Sequence, residues 1–141
     1  MKIFFLLNPS RQKKQWDFRE AAAKTAHRHG WTARFGQVER ERPQTSVNLL
    51  RQAAEEDCRR VVVIGGDGSL HQTVNNLSRQ KLLKSTELAV VPAGTCNDFA
   101  RALGLSPKRM DEALQVACTG KARPTDLGMM EIGRASCRER V

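Results

Sequence analysis

The sequence predicts a three-layer α/β domain built on a mostly parallel sheet. Two apolar runs, Val61–Ile64 and Leu88–Val91, contain no polar side chain, which is typical of strands buried on both faces. Each run is followed by a loop and then by apolar residues at helical spacing, as in strand–helix–strand units. The 141 residues allow one such domain with its own core.

The first strand is predicted over Ile3–Leu7 and the first helix over Trp16–His29. Gly30 ends this helix, because glycine readily takes the left-handed conformation that closes helices. A short strand, Trp31–Gln37, comes next. The helix residues expected to face the core are Phe18, Ala22, Thr25 and Ala26, whereas His27 and His29 are expected to face solvent.

A second helix is predicted over Ser46–Asp57, before the Val61 strand, and a polar connector over Ser78–Thr86. The side chains of the second helix expected in the core are Val47, Leu50 and Ala54.

The last helix has both start and stop signals. Ser106 is its expected cap and Pro107 its first residue, and Gly120 closes it. The acidic residues Asp111 and Glu112 suit the positive end of the helix dipole. Its inward side chains are predicted to be Met110, Leu114 and Ala117.

The first loop, Gly65-Gly66-Asp67-Gly68-Ser69, joins a strand to a helix that is expected to begin near Ser69, with its hydroxyl as the cap. Glycine amides and the start of a helix together favour bound phosphate. A tight β-hairpin uses similar residues, but the helical period of Leu70, Val74 and Leu77 argues against it. Neither a P-loop nor the G-x-G-x-x-G dinucleotide motif is present.

The second loop starts at Pro92 and runs through Gly94, Thr95 and Cys96 to the Asn97-Asp98 pair. Because successive parallel strands end at the same edge of a sheet, both loops are expected to face one crevice.

These two motifs together resemble the diacylglycerol kinase catalytic-domain family, which includes bacterial lipid kinases and the sphingosine and ceramide kinases. The motifs are Gly-Gly-Asp-Gly-Ser and Pro-Ala-Gly-Thr-Cys-Asn-Asp-Phe-Ala-Arg, and the resemblance extends from Ile3 to about Met130. It also covers the opening strand with Asn8-Pro9 and the Asp126-Leu127-Gly128 segment. The implied fold is the N-terminal domain shared by NAD kinases and diacylglycerol kinases.

The resemblance implies ATP and Mg²⁺ as cofactors and transfer of the γ-phosphoryl group to a lipid hydroxyl, such as that of diacylglycerol. An NAD kinase-like enzyme and a non-catalytic nucleotide-binding fragment are the alternatives. The nucleotide-binding residues that the resemblance implies are Gly65, Gly66, Asp67, Gly68, Ser69, Leu70, His71, Thr95, Asn97 and Asn8.

Three of these side chains also have simpler interpretations. Asp67 is a candidate catalytic residue that could orient Mg²⁺ directly or through water, or its carboxylate could cap the turn. Asn97 and Asp98 are good helix N-caps, a role compatible with ligand contact. The resemblance places the general base and the magnesium-binding acids in a β-rich half, which this sequence lacks, so the fragment alone is expected to be inactive.

The sequence departs from the family pattern in three places. The loop after Asn8-Pro9, Ser10–Gln15, is basic instead of rich in serine and glycine. Glu39 or Arg40 stands where many relatives have a threonine. Cys96 replaces a smaller residue; it is expected to fill space, and a reactive thiol at a helix start is the alternative.

Residues 1–130 are predicted to form the ATP-binding domain, and residues 131–141 to be foreign to it. The segment from Glu131 to Val141 resembles a translated sequencing adapter, and the apolar period stops after Met130.

The formal net charge is +9, from 24 basic and 15 acidic side chains. Aromatic residues make up only 5% of the chain, so stacking platforms for nucleic acid are scarce. Basic pairs such as Arg59-Arg60 and Lys108-Arg109 suit an anionic membrane surface, or simply a solvated face. Together with the lipid substrate that the resemblance implies, these residues make a lipid at a membrane surface the expected partner, and no specific nucleic acid is expected.

The four cysteines have no C-x-x-C spacing, so neither a zinc site nor a disulfide framework is indicated. No apolar run approaches about 18 residues, and no signal peptide is evident. The expected location is the cytoplasm, with peripheral contact to the inner face of the membrane.

Overall fold

A computed structural model describes residues 1–7, 18–38, 42, 44–93, 97–106 and 108–124, and the backbone of 126–130 and 136–140. Its strands are β1 (Lys2–Leu7), β2 (Thr32–Gln37), β3 (Cys58–Gly65), β4 (Glu87–Pro92), β5 (Asp126–Met130) and β6 (Ser136–Arg140). Its helices are α1 (Phe18–Arg28), α2 (Gln44–Glu55), α3 (Asp67–Arg79), α4 (Asp98–Ala102) and α5 (Met110–Thr119).

Four parallel strands form the central sheet in the order β2-β1-β3-β4. The β5 and β6 strands pair with each other in antiparallel fashion. The β3 run is buried almost throughout, as its unbroken apolar sequence predicts. The predicted mostly parallel sheet is therefore confirmed.

Side chains alternate between the two faces of the sheet, and each face is covered by helices. Ile3, Phe5 and Val62 pack with Ala22 and Ala26 of α1 and with Leu114 of α5. Phe4 and Val61 face the opposite side, where Leu50 of α2 and Leu77 of α3 cover them. This gives the predicted three layers, with the sheet between two pairs of helices.

Several predicted boundaries and faces shift. The α2 helix begins at Gln44 and ends at Glu55, and it buries Ala53 while Ala54 is exposed. The prediction of Ala54 is therefore wrong, because the buried stripe runs through Ser46, Leu50 and Ala53. Val47 is half-buried.

The α1 helix confirms Ala22 and Ala26 as buried, while Phe18 and Thr25 are half-buried and His27 and His29 are exposed. Gly30 follows the helix with φ +81°, as its predicted stop role requires. Trp16 lies outside the described residues. The strand after α1, β2, begins at Thr32, one residue later than predicted.

The α5 helix begins at Met110, so Ser106 is not its cap. The Ser106 hydroxyl accepts a hydrogen bond from the Lys108 amide, and its carbonyl accepts one from the Arg109 amide, which makes a turn before the helix. Leu114 and Ala117 are buried and Met110 is half-buried, close to the prediction. Gly120 follows the helix in an extended conformation, and Pro107 lies outside the described residues.

The connector predicted over Ser78–Thr86 is partly helical. The α3 helix continues to Arg79, and Leu83–Ser85 form one turn of 3₁₀ helix. No helix in the described part of the chain is long and apolar enough to cross a membrane.

One basic residue expected at the surface is buried instead. Arg60 is only 9% exposed, and its guanidinium binds the Glu87 carboxylate at 2.7 and 2.9 Å. It also donates to the Ala117 carbonyl and lies over the Trp31 ring, whose Nε1 donates to the Cys118 carbonyl. These bonds satisfy carbonyl groups in the last turn of α5 and fix that helix to the sheet.

Gly36 allows β2 and α2 to approach closely. A Cβ at this position would lie 2.6 Å from Leu49 Cδ2 and 2.8 Å from Phe4 Cζ, and Phe4 is fully buried. We expect Gly36→Ala to lower the free energy of unfolding by about 1–3 kcal/mol, because the Phe4 ring has little room to shift. Urea denaturation measures the loss, and a variant as stable as the wild type would contradict this packing.

Candidate functional site

The two glycine-containing loops leave the sheet side by side. Gly65, the last residue of β3, pairs with Pro92, the last residue of β4. Just beyond the pair, the Ala93 amide donates to the Gly65 carbonyl at 2.9 Å. The prediction that the two strands end at the same carboxyl edge of a parallel sheet is therefore confirmed. Residues 94–96 of the second loop lie outside the described residues.

The α3 helix begins two residues earlier than predicted. Gly66 is its N-cap, in an extended conformation, and the Leu70 amide donates to the Gly66 carbonyl. Ser69 is therefore not the cap but lies within the first turn. No side-chain hydrogen bond from the N-cap residue closes the helix, since glycine has none to offer. The Asp67-Gly68-Ser69 sequence thus forms the amino end of a 13-residue helix.

The Asp67 carboxylate connects this helix to the second loop. Its Oδ2 accepts a hydrogen bond from the Asp98 amide at 2.8 Å, and its Oδ1 accepts one from the Phe99 amide at 3.1 Å. These amides are at the start of α4, so Asp67 caps a helix 31 residues further along the chain. The predicted capping by Asp67 of its own turn is therefore replaced by capping of the other loop's helix.

Asn97 occupies the N-cap position of α4, but its side chain makes no cap hydrogen bond. Its backbone is left-handed (φ 55°, ψ 41°), and the residue is 1% exposed. The capping role predicted for Asn97 and Asp98 side chains is therefore performed by Asp67. The short-range capping pattern gave no sign of this, because the partner lies on a different loop.

Gly68 is exposed, and a Cβ added there would meet no protein atom within 4 Å. Its φ is not positive, so the backbone conformation does not require glycine. The same holds for the φ of Gly65 and Gly66, since the described glycines with positive φ are Gly30 and Gly104. Neither packing nor backbone strain within the described chain accounts for glycine at position 68.

Of the remaining predicted site residues that the structure describes, one is buried in the core and one is exposed. Leu70 is buried against Val63 and Val74, with its amide already bonded to Gly66. His71 is exposed on α3, where its Nε2 lies 3.1 Å from the side-chain Nδ2 of Asn75. Thr95 and Asn8 lie outside the described residues, as does Cys96.

The described residues contain no cluster of three or more side chains suited to a metal ion. The two described thiols, Cys58 and Cys118, are buried away from the loops, and burial raises the pKa of each above its ordinary value. Both therefore stay protonated at neutral pH and act as small apolar residues.

Residues 2–130 match the family model described as the diacylglycerol kinase catalytic domain. The chain belongs to this family. The match covers both loops and every strand of the central sheet.

The domain is similar to curated diacylglycerol kinases of two bacteria. It is 38% identical over 85 residues to the enzyme of Bacillus subtilis, an alignment that covers 60% of this chain and 27% of that protein. It is 38% identical over 80 residues to the enzyme of Staphylococcus carnosus, covering 57% and 25%. The aligned chain thus spans about a quarter of the length of these relatives.

A crystal structure of a diacylglycerol kinase from Bacillus anthracis has the same fold as this chain. The TM-score is 0.70 at 24% identity, covering 89% of this chain and 42% of that one. The predicted α/β domain of the NAD kinase and diacylglycerol kinase type is therefore confirmed.

We expect Asp67→Asn to lower the free energy of unfolding by about 1–2 kcal/mol, as loss of a helix cap does, because the amide cannot accept from both α4 amides. Asp111→Asn is the matched control: Asp111 is exposed in the first turn of α5, where about 0.3–1 kcal/mol is typical. Urea denaturation compares the two. Equal losses of unfolding free energy in the two variants would show that the Asp67 hydrogen bonds stabilise the fold no more than an exposed charge does.

Proposed function

We propose that this chain is the nucleotide-binding half of an ATP-dependent lipid kinase, which transfers the γ-phosphoryl group of ATP to a lipid hydroxyl such as that of diacylglycerol. The observation that carries the proposal is the open space over Gly68 at the start of α3, beside the second family loop. Family membership supports a kinase; the nucleotide and the acceptor are the proposed parts.

The amino end of α3 suits phosphate for physical reasons. Backbone N–H groups in the first turn of a helix have no partner within the helix, and the helix dipole favours negative charge there. The backbone at Gly68 is open to a ligand. Gly66, the N-cap residue, and Ser69, in the first turn, lie next to it in the chain. In the proposed site these three residues hold the phosphates, and His71 flanks them one turn further along α3.

Asp67 is proposed as a positioning residue. It holds the start of α4 next to the start of α3, and each carboxylate oxygen already accepts one amide hydrogen bond. A carboxylate oxygen has a second lone pair, so Asp67 fits an additional contact with Mg²⁺ through water. Bound Mg²⁺ would supply neutralisation of charge on the phosphates.

Leu70 is assigned to the core in this proposal, since its side chain is buried and its amide is bonded. Thr95, Asn97 and Asn8 stay in the proposed nucleotide site on the family resemblance. The general base is proposed to lie outside these 141 residues, in the part of the relatives' length that this chain does not span. We therefore expect these residues alone to bind nucleotide without transferring a phosphoryl group.

The acceptor can be tested in a full-length protein carrying this domain. We propose that labelled γ-phosphoryl from ATP appears in diacylglycerol and not in NAD. Transfer to NAD would instead favour an NAD kinase-like enzyme, and transfer to neither would restrict the domain to nucleotide binding.

We expect Gly68→Ala to weaken Mg-ATP binding about tenfold or more, because its methyl group would occupy the space proposed for phosphate. Stability should be unchanged or higher by about 0.5–1 kcal/mol, since alanine favours helix over glycine. Isothermal titration calorimetry measures the affinity, with Ser78→Ala at the far end of α3 as control. Wild-type affinity in a folded Gly68→Ala variant would contradict the proposed phosphate site.

A further inference from the structure

An exposed turn follows α4, the short helix whose first residues are bonded to Asp67. We call residues 101–104 the α4 tip; all four are exposed. Leu103 at its centre is 50% exposed, one of three large apolar side chains in the described chain with that much exposure or more. The others, Met1 and Val116, lie on other elements.

The backbone holds Leu103 outward. Gly104 has φ +82°, its amide donates to the Arg101 carbonyl, and the Leu105 amide donates to the Ala100 carbonyl. This pattern is a Schellman motif, a rigid way to end a helix. Leu105 packs against the core, so the turn separates one leucine facing inward from one facing solvent.

Basic residues precede and follow the exposed leucine in the sequence. Arg101 and Lys108 are exposed and form no ion pair with a described carboxylate, whereas Arg109 lies 3.7 Å from Glu112. From Asp98 to Arg109 the chain has three basic residues and one acidic residue. The two acidic residues that follow, Asp111 and Glu112, lie in the first turn of α5, where they also complement the helix dipole.

The tip is close to the proposed nucleotide site. Asp67 binds the first two amides of α4, and the helix is five residues long, so Leu103 lies roughly 8 Å further along at about 1.5 Å per residue. A lipid hydroxyl that receives phosphate must reach this edge of the sheet. An exposed leucine between cations suits the boundary between anionic headgroups and acyl chains.

We propose that the α4 tip is a membrane contact: Leu103 enters the surface of an anionic bilayer while Arg101 and Lys108 bind lipid phosphates. This inference rests on the proposed function, because it assigns the surface from which the lipid substrate reaches the site. It goes further by naming the residues that make the contact.

The test is co-sedimentation of the 141-residue protein with phosphatidylcholine vesicles that contain or lack phosphatidylglycerol. We expect Leu103→Gln to reduce binding to the anionic vesicles about tenfold, because it removes a buried apolar group. Arg101→Gln and Lys108→Gln should each reduce it about fivefold. Val116→Gln and Lys84→Gln are matched controls on other surfaces and should leave binding unchanged, and added salt should weaken the wild type.

The proposal is overturned if the wild type does not bind anionic vesicles, if it binds neutral vesicles equally well, or if Val116→Gln matches Leu103→Gln. It is also overturned if the tip variants lose affinity for duplex DNA while keeping their affinity for vesicles. Mg-ATP titration of the same variants separates the two proposals. Tip variants that bind ATP normally but no longer bind vesicles support the membrane contact. A wild type that does not bind ATP counts against the nucleotide site but not against the membrane contact.

Discussion

The site depends on one carboxylate that belongs to one loop and caps the helix of the other. The two bonds from Asp67 to the Asp98 and Phe99 amides are charge-assisted, which makes them stronger than ordinary amide–carbonyl bonds. The sheet brings the loops together only as far as Gly65 and Pro92, where the strands end. Beyond that point, the Asp67 bonds keep the start of α4 beside the start of α3.

The parallel sheet explains why these loops meet. Because β3 and β4 are adjacent and parallel, their carboxyl ends share one edge, as ligand sites in open α/β sheets require. At the opposite edge, Arg60 binds Glu87 and the last turn of α5. The scaffold is thus held at its amino edge by buried polar contacts, while the carboxyl edge leaves helix starts and exposed glycine available to a ligand.

Much of this architecture could be predicted from the sequence. The unbroken apolar run of β3 predicted a strand buried on both faces, and the alternation of strands and helices predicted the layers. The errors have local physical causes. Ala53 and Ala54 are both alanines, so the sequence alone could not show which one faces the sheet. The sequence predicts Ser106 as the cap of α5, but its hydroxyl accepts a hydrogen bond from the Lys108 amide in a turn before the helix.

Long-range contacts were beyond sequence reasoning. Nothing in the sequence distinguishes Arg60 from its exposed neighbour Arg59. Arg60 is buried because the fold places Glu87 and Trp31 beside its guanidinium group. Asp67 could be identified only as a candidate site residue, because its partners lie 31 and 32 residues away and are backbone amides, which have no sequence signature.

The most direct test of a single site shared by both loops is a Mg-ATP titration followed by two-dimensional amide NMR. If both loops form one site, the amide signals of Gly68 on α3 and of Asp98 and Phe99 on α4 shift together, with one dissociation constant. A response confined to one loop, or no response in either, would contradict it.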